Sequence, residues 1–185
     1  MKNKKSFIKN AIITSLLITS SINSQELIIG EERLEQGILM IFEGAAKDHI
    51  EPNNRHLGIA DTNVHLEARV NWDTLNIPPG APAGGFVPYL HISAKITNAR
   101  TEKSTFVDLV PHINLVDNFH YARNISLPGD NVDLYNVEFK IMPPTFIDLS
   151  FHKDWVESYG NYLIKKVVFN YKNINFNEVA NADRK

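Results

Sequence analysis

Residues 61–72 read DTNVHLEARVNW, and the alternation in this stretch decides the class of fold. Val64, Leu66, Ala68, Val70 and Trp72 fall on one face of an extended strand, and His65, Glu67 and Arg69 on the other. Alternate residues on a strand stand roughly 6.5–7 Å apart, so an imidazole and a carboxylate can converge on one ion from a rigid platform. This is half a site. Residues 111–121, PHINLVDNFHY, carry the other candidates, His112, Asp117 and His120, and the expectation is that the two stretches meet.

Outward from that strand the chain keeps the same habit. GILMIF at 37–42 reads as an earlier strand, and 25–36, with Glu31, Glu32 and Glu35, as an arm or short helix. Residues 43–59 lose periodicity and form a long ordered loop holding His49, Glu51 and His56. After a Pro/Gly-rich connection at 74–85, strands are expected at 86–97, 104–110, 121–127, 132–141 and 162–171. The apolar alternation slips between Leu134 and Val137, which predicts a bulge. About seven strands with turn signals between them, and no helical period, predict an all-β fold, an Ig-like antiparallel β-sandwich. It should occupy 25–172 as one domain, followed by a polar C-terminal tail at 173–185.

The first 24 residues stand apart. Lys2, Lys4, Lys5 and Lys9, an apolar run at 11–18 and small polar residues at 19–24 are the three regions of a secretory signal peptide. Cleavage after Ser21 or Ser24 fits, with Ser24 taken as the boundary. The apolar run is too short to span a bilayer, and no second one follows, so no membrane insertion of the mature chain is expected. Removing this segment takes four lysines and no acids, leaving 15 basic and 21 acidic residues and a mature charge of −6. An acidic exported protein is a poor partner for nucleic acid and a reasonable collector of cations. The absence of Cys excludes disulfides, a thiol nucleophile and thiolate-ligated metal.

A lone histidine is more often a surface or hydrogen-bonded residue than a ligand, so only clustering makes a case. His91, on a strand among polar neighbours, is expected to be structural, and His49 and His56 are either accessory ligands or loop residues. His65, Glu67, His120 and His152 together would supply three imidazoles and a carboxylate, a set suited to divalent transition metals and unsuited to calcium or magnesium.

Several short motifs, in order, extend this reading. They are IEP at 50–52, NVHLEA at 63–68, VPYL at 87–90, DNFHYARNI at 117–125, MPP at 142–144 and HKD at 152–154. In order and spacing they resemble the bacterial periplasmic iron-transport proteins, the Fe2+ transport family that accompanies an inner-membrane iron permease. The resemblance runs from about Ile38 to Tyr171. It implies an Ig-like homodimer in the periplasm that binds a copper ion and handles iron as the transported ion, with zinc also compatible with the donors. On this likeness His65, His120 and His152 are metal ligands, Glu67 belongs to a second, adjustable metal position, and Asp117 stands for the family's acid. Where the family commonly has a methionine after proline, His112 follows Pro111, if one residue is inserted, and is either a substitute ligand or a surface residue. Imidazole in place of thioether weakens a preference for Cu(I) and favours Cu(II), Zn(II) or Fe(II). Ala122 replaces the family's glycine, and the late loop lacks its Thr-Gly.

The function expected is therefore a metal-binding protein of high-affinity iron uptake that supplies an inner-membrane permease, and not an enzyme. Two rival readings are a copper-dependent redox enzyme acting on iron and an Ig-like protein-binding module with incidental histidines. Lack of Cys excludes a blue-copper centre from the first.

Overall fold

The computed structural model describes residues 26–184; the expected signal peptide lies outside the described residues. Eight strands form one antiparallel sheet: β1 (Glu26–Leu34), β2 (Ile38–Ala45), β3 (Val64–Trp72), β4 (His91–Asn98), β5 (Ser104–Asn114), β6 (Asn118–Ile125), β7 (Leu134–Met142) and β8 (Val167–Asn175). Two short helices, α1 (Lys153–Tyr159) and α2 (Asn177–Ala180), flank β8. The strand order is β1-β2-β3-β6-β5-β4-β7-β8. All-β, antiparallel architecture is thus what the alternation predicts, with eight strands in place of about seven.

The sheet folds over because β5 changes partner part-way along. Ser104 to Leu109 pair with β4, whereas Val110 to Asn114 pair with β6. Pro111, which has no N–H to offer a ladder, sits just past the change. A strand shared in this way lets the two halves of the sheet face each other. Phe42 of β2 then stacks on Phe139 of β7 with ring centroids 4.1 Å apart, and Val64, Leu66, Ala68, Val70, Ile92 and Ile96 are buried around them. Across the outer strands, Tyr171 of β8 donates its hydroxyl to Glu32 of β1 at 2.9 Å, so the sheet nearly closes.

Three segments depart from expectation. Within 25–36, expected as an arm or short helix, Glu26–Leu34 form β1, an edge strand whose pairing with β2 supplies what its Glu-rich composition does not signal. Gly30 is required there, since a Cβ would lie 2.2 Å from the Tyr171 ring. The region of HKD opens helix α1. The expected polar tail from residue 173 instead continues β8 to Asn175 and then buries Phe176, Val179 and Ala180. Phe176 accounts for this: its ring lies 5.9 Å from Tyr135, and its edge sits 3.0 Å from where a Cβ on Gly44 would be. The bulge in β7 falls between Tyr135 and Val137, within the slip in the alternation.

Tyr121 of β6 is the polar anchor of this core. Its buried hydroxyl donates to the carbonyl of Val87 (2.9 Å) and accepts from the amide of Leu90 (3.1 Å), fastening the end of the Pro/Gly-rich connection. Tyr121→Phe leaves both backbone groups without their partner and should lower unfolding stability by about 2 kcal/mol. Urea denaturation checks this; an unchanged midpoint would show that water replaces the hydroxyl.

Candidate metal centre

β3, β6 and β5 lie side by side, and their register sets the site. His65 pairs with Asn124 and Glu67 with Ala122 across β3 and β6, while His120 pairs directly with His112 across β6 and β5. Paired residues point to the same side, so these side chains share the face opposite the apolar core. One nitrogen from each of His65, His112 and His120 comes within 4.8 Å of the others.

This polar face is not left to solvent. The loop at 46–63 folds over it, and His65, Glu67, His120, Asn124 and Glu43 are each less than 5% exposed. Asn124 ties the loop down by donating its amide to the carbonyls of Asp48 (2.8 Å) and Leu57 (3.1 Å). Above the cluster a cavity of about 1000 Å³ opens, walled by the loop, by the end of β5 and by Arg184.

The hydrogen bonds choose the tautomers. Two carbonyls take the Asn124 amide hydrogens, so its Oδ1 can only accept, and His65 Nδ1–H donates to it at 2.8 Å. The lone pair of His65 is thereby placed on Nε2. His120 Nδ1–H donates to the Asn118 carbonyl at 3.1 Å, again leaving Nε2 with the lone pair. His112 has neither nitrogen hydrogen-bonded although both atoms are buried. Burial without a partner is costly for an imidazole, and a metal ion is the natural partner for nitrogen lone pairs gathered in this way. The donor set present therefore fits a divalent transition metal.

Charge follows burial. Desolvation pulls His65 down to about 4 and His112 down to about 3, and lowers His120 as well, so all three imidazoles are neutral near pH 7. Desolvation, with Asp117 and Glu43 nearby, pushes Glu67 up to about 8. The His65 Nε2 to Glu67 Oε1 approach of 3.6 Å is accordingly a contact between two neutral groups in the metal-free protein. Glu43, opposite Glu67 on β2, is paired with Arg69 at 2.5 Å.

Of the residues expected at the site, the structure brings together His65, His112 and His120, with Glu67 beside them. Asp117 lies in the β5–β6 turn, where it accepts from Asn114 at 2.8 Å, and is not in the imidazole cluster. His152 stands apart from the cluster of its own chain: it is exposed at the start of α1, in a groove with Trp72, Tyr89 and Trp155. A folded-over sheet puts the β7–β8 connection on a different side of the chain from the 46–63 loop, which spacing along the sequence does not reveal. His91 is exposed and contacts Asp148 at 3.3 Å. His49 and His56 line the cavity. The sequence reading missed Asn124 and Glu43; only their alternation with known site residues on β6 and β2 could have signalled them.

Fold and site together define an all-β protein with a buried three-imidazole cluster at the floor of a polar cavity. The chain belongs to the Fe2+ transport protein family, whose profile matches residues 23–177. It is similar to FetP of uropathogenic Escherichia coli strain F11, with 26% identity and a TM-score of 0.66 over 81% of this chain and 95% of that one. Copper-reconstituted P19 from Campylobacter jejuni shares 26% identity, with a TM-score of 0.66 over 80% of this chain and 94% of that chain. A UPF0423 protein of Brucella abortus (strain 2308) is 28% identical over 134 residues, 71% of this chain and 70% of that protein. Among the described residues, no helix is long and apolar enough to cross a membrane.

The buried acid makes a pH prediction. Glu67 carries its proton in the folded, metal-free protein up to about pH 8 but loses it near 4.5 when unfolded, so its contribution to stability declines as pH rises through that window. The lowered imidazoles act oppositely below 6.5, raising stability with pH. Comparing Glu67→Gln with the parent removes the histidine part. The stability difference in favour of Gln should open above pH 4.5 and level off above 8, measured by thermal unfolding with a chelator present. Parallel pH curves would show that Glu67 is ionised in the fold.

Proposed function

We propose that this chain is a periplasmic metal-binding protein of iron uptake, which holds a transition metal at His65, His112 and His120, with Glu67 adjoining, and supplies iron to an inner-membrane permease. The observation that carries this reading is the convergence of three neutral imidazoles within 4.8 Å, two of them with tautomers set by hydrogen bonds. The family description and the copper-bound structures of FetP and P19 support it. A bound metal would supply Lewis acidity and a redox-active or exchangeable cation. The chain's own residues hold and orient: Asn124 aims His65, the 46–63 loop limits water, and Glu67 gives up or regains a proton as charge enters or leaves. With His112 in the set, donors are nitrogen and oxygen only, which suits Cu(II), Fe(II) or Zn(II).

Titration of metal-free protein with Cu(II) should give one tight site per chain, abolished by His65→Ala. Asn124→Ala should weaken binding roughly 10–100-fold, because outer partners of ligating histidines act on that scale. Binding unchanged in both variants would move the site elsewhere.

A homodimer belongs to the same proposal. The end of the β5–β6 hairpin exposes Ile113, Leu115, Val116 and Phe119, of which Ile113 and Leu115 line the cavity, an apolar tip suited to a protein contact. His152, remote from the cluster of its own chain, then acts at the site of a second copy. His152→Ala should weaken Cu(II) binding in the dimer as judged by light scattering and titration; unchanged affinity would remove His152 from the site.

A further inference from the structure

The wall of the cavity carries charge of the sign opposite to what a bare cation needs. Arg55, Arg123 and Arg184 all line it, together with Asp48, Glu51, His49 and His56. Arg184 is spent on Asp48, at 2.9 Å. Among the described residues, neither Arg55 nor Arg123 has a carboxylate within ion-pair distance. Glu51, the one acid left in the wall, accepts from the Asn53 amide at 2.9 Å.

Arg123 is held in place. Its Nη1 donates to the Arg55 carbonyl (3.0 Å) and lies 3.4 Å from His56 Nδ1. A guanidinium only donates, so His56 Nδ1 accepts and neutral His56 carries its proton on Nε2 as a further donor. The His56 ring stands 5.1 Å from His112, whose ring stands 5.4 Å from His65. The cavity thus has two poles within one small molecule's length: lone pairs on His65, His112 and His120, and donors on Arg55, Arg123 and His56. A divalent cation on three neutral imidazoles would add positive charge beside two unpaired guanidiniums, which repel it at this range. A volume of about 1000 Å³ also exceeds what a single ion requires.

Resting on the metal-binding reading above, we infer that the site takes its metal together with a carboxylate-type oxyanion, bound by Arg123, Arg55 and His56 and ligating the metal on its open side. Planar guanidinium forks match carboxylate and carbonate oxygens, and the anion offsets the charge of the ion. The oxyanion comes either as free bicarbonate or as the carboxylate arm of a metal chelate such as citrate.

The test begins from full mature protein loaded with one equivalent of Cu(II). Bicarbonate is titrated in one arm and citrate in another, following the Cu(II) visible absorption and electron paramagnetic resonance, with copper retained after desalting measured in the citrate arm. Wild type should show a saturable spectral change. Response to bicarbonate alone assigns the free anion, and response to citrate with copper retained assigns the chelate. Arg123→Gln should weaken the anion response about tenfold or more, the scale of one lost charge-assisted hydrogen bond, with Cu(II) stoichiometry unchanged and anion-free Cu(II) affinity no weaker than wild type, since a repelling charge has been removed. Arg55→Gln is the companion variant, since the Arg55 side chain makes no hydrogen bond to the described fold and its loss cannot unfold the loop through one. No spectral response in wild type, or a response equal in wild type and both variants, would overturn the inference while leaving the metal site intact. Failure of wild type to bind Cu(II) at all would overturn the metal reading and this inference with it.

Discussion

Everything at the polar end of this protein depends on one carboxamide. Asn124 has two hydrogens and one oxygen to offer, and all are committed: the hydrogens to the carbonyls of Asp48 and Leu57, the oxygen to His65. The first two bonds hold the 46–63 loop against the outer face of β3 and β6 beside His65, on a face where His65, Glu67 and His120 are all buried. Burial in turn keeps the imidazoles neutral and the Glu67 carboxyl protonated. The third bond places the lone pair of His65 toward its neighbours. One side chain therefore connects loop docking, protonation and ligand orientation.

The sheet contributes rigidity and aim. Because His112 and His120 are a direct cross-strand pair and His65 lies on the next strand over, the three rings come from adjacent strands of a continuous ladder. Their separation follows from strand spacing and not from loop conformation. The opposite face of the same strands carries Val64, Leu66, Ala68 and Val70 into the core, so movement of the ligands would have to disturb the packing around Phe42 and Phe139. By contrast the cationic wall of the cavity stands on loop residues and on Arg123, which are half-buried or exposed. The metal end is the stiff part and the wall the adaptable one.

Legibility in the sequence tracked the physics of each element. Strands with one apolar face, β3, β4 and β7, could be read from period-two alternation alone, and the β7 bulge from its interruption. β1 could not, because an edge strand rich in glutamate gains its place from hydrogen bonds to β2 and from the Tyr171 ring over Gly30, neither of which leaves a hydrophobic pattern. The segment after residue 173 looked like a polar tail because only Phe176, Val179 and Ala180 are buried in it. At the site, His65, Glu67, His112 and His120 were found because two dense patches stood out. Asn124 was hidden by its ordinary chemistry, and the separation of His152 from the cluster of its own chain was hidden because linear order says nothing about which side of a folded sheet a loop occupies.

By itself the sequence determined an all-β chain, an alternating strand with His65 and Glu67 on its polar face, and a second patch with His112 and His120, since side-chain direction on a strand follows from parity alone. Tertiary structure decided which of these meet. Register across β3, β6 and β5 brought three histidines together, the change of partner in β5 folded the sheet, and His152 went elsewhere. Register and loop docking are set by contacts between residues tens of positions apart, whose energies no local pattern records, and so the protonation of the buried groups could be stated only once the loop was seen to cover them.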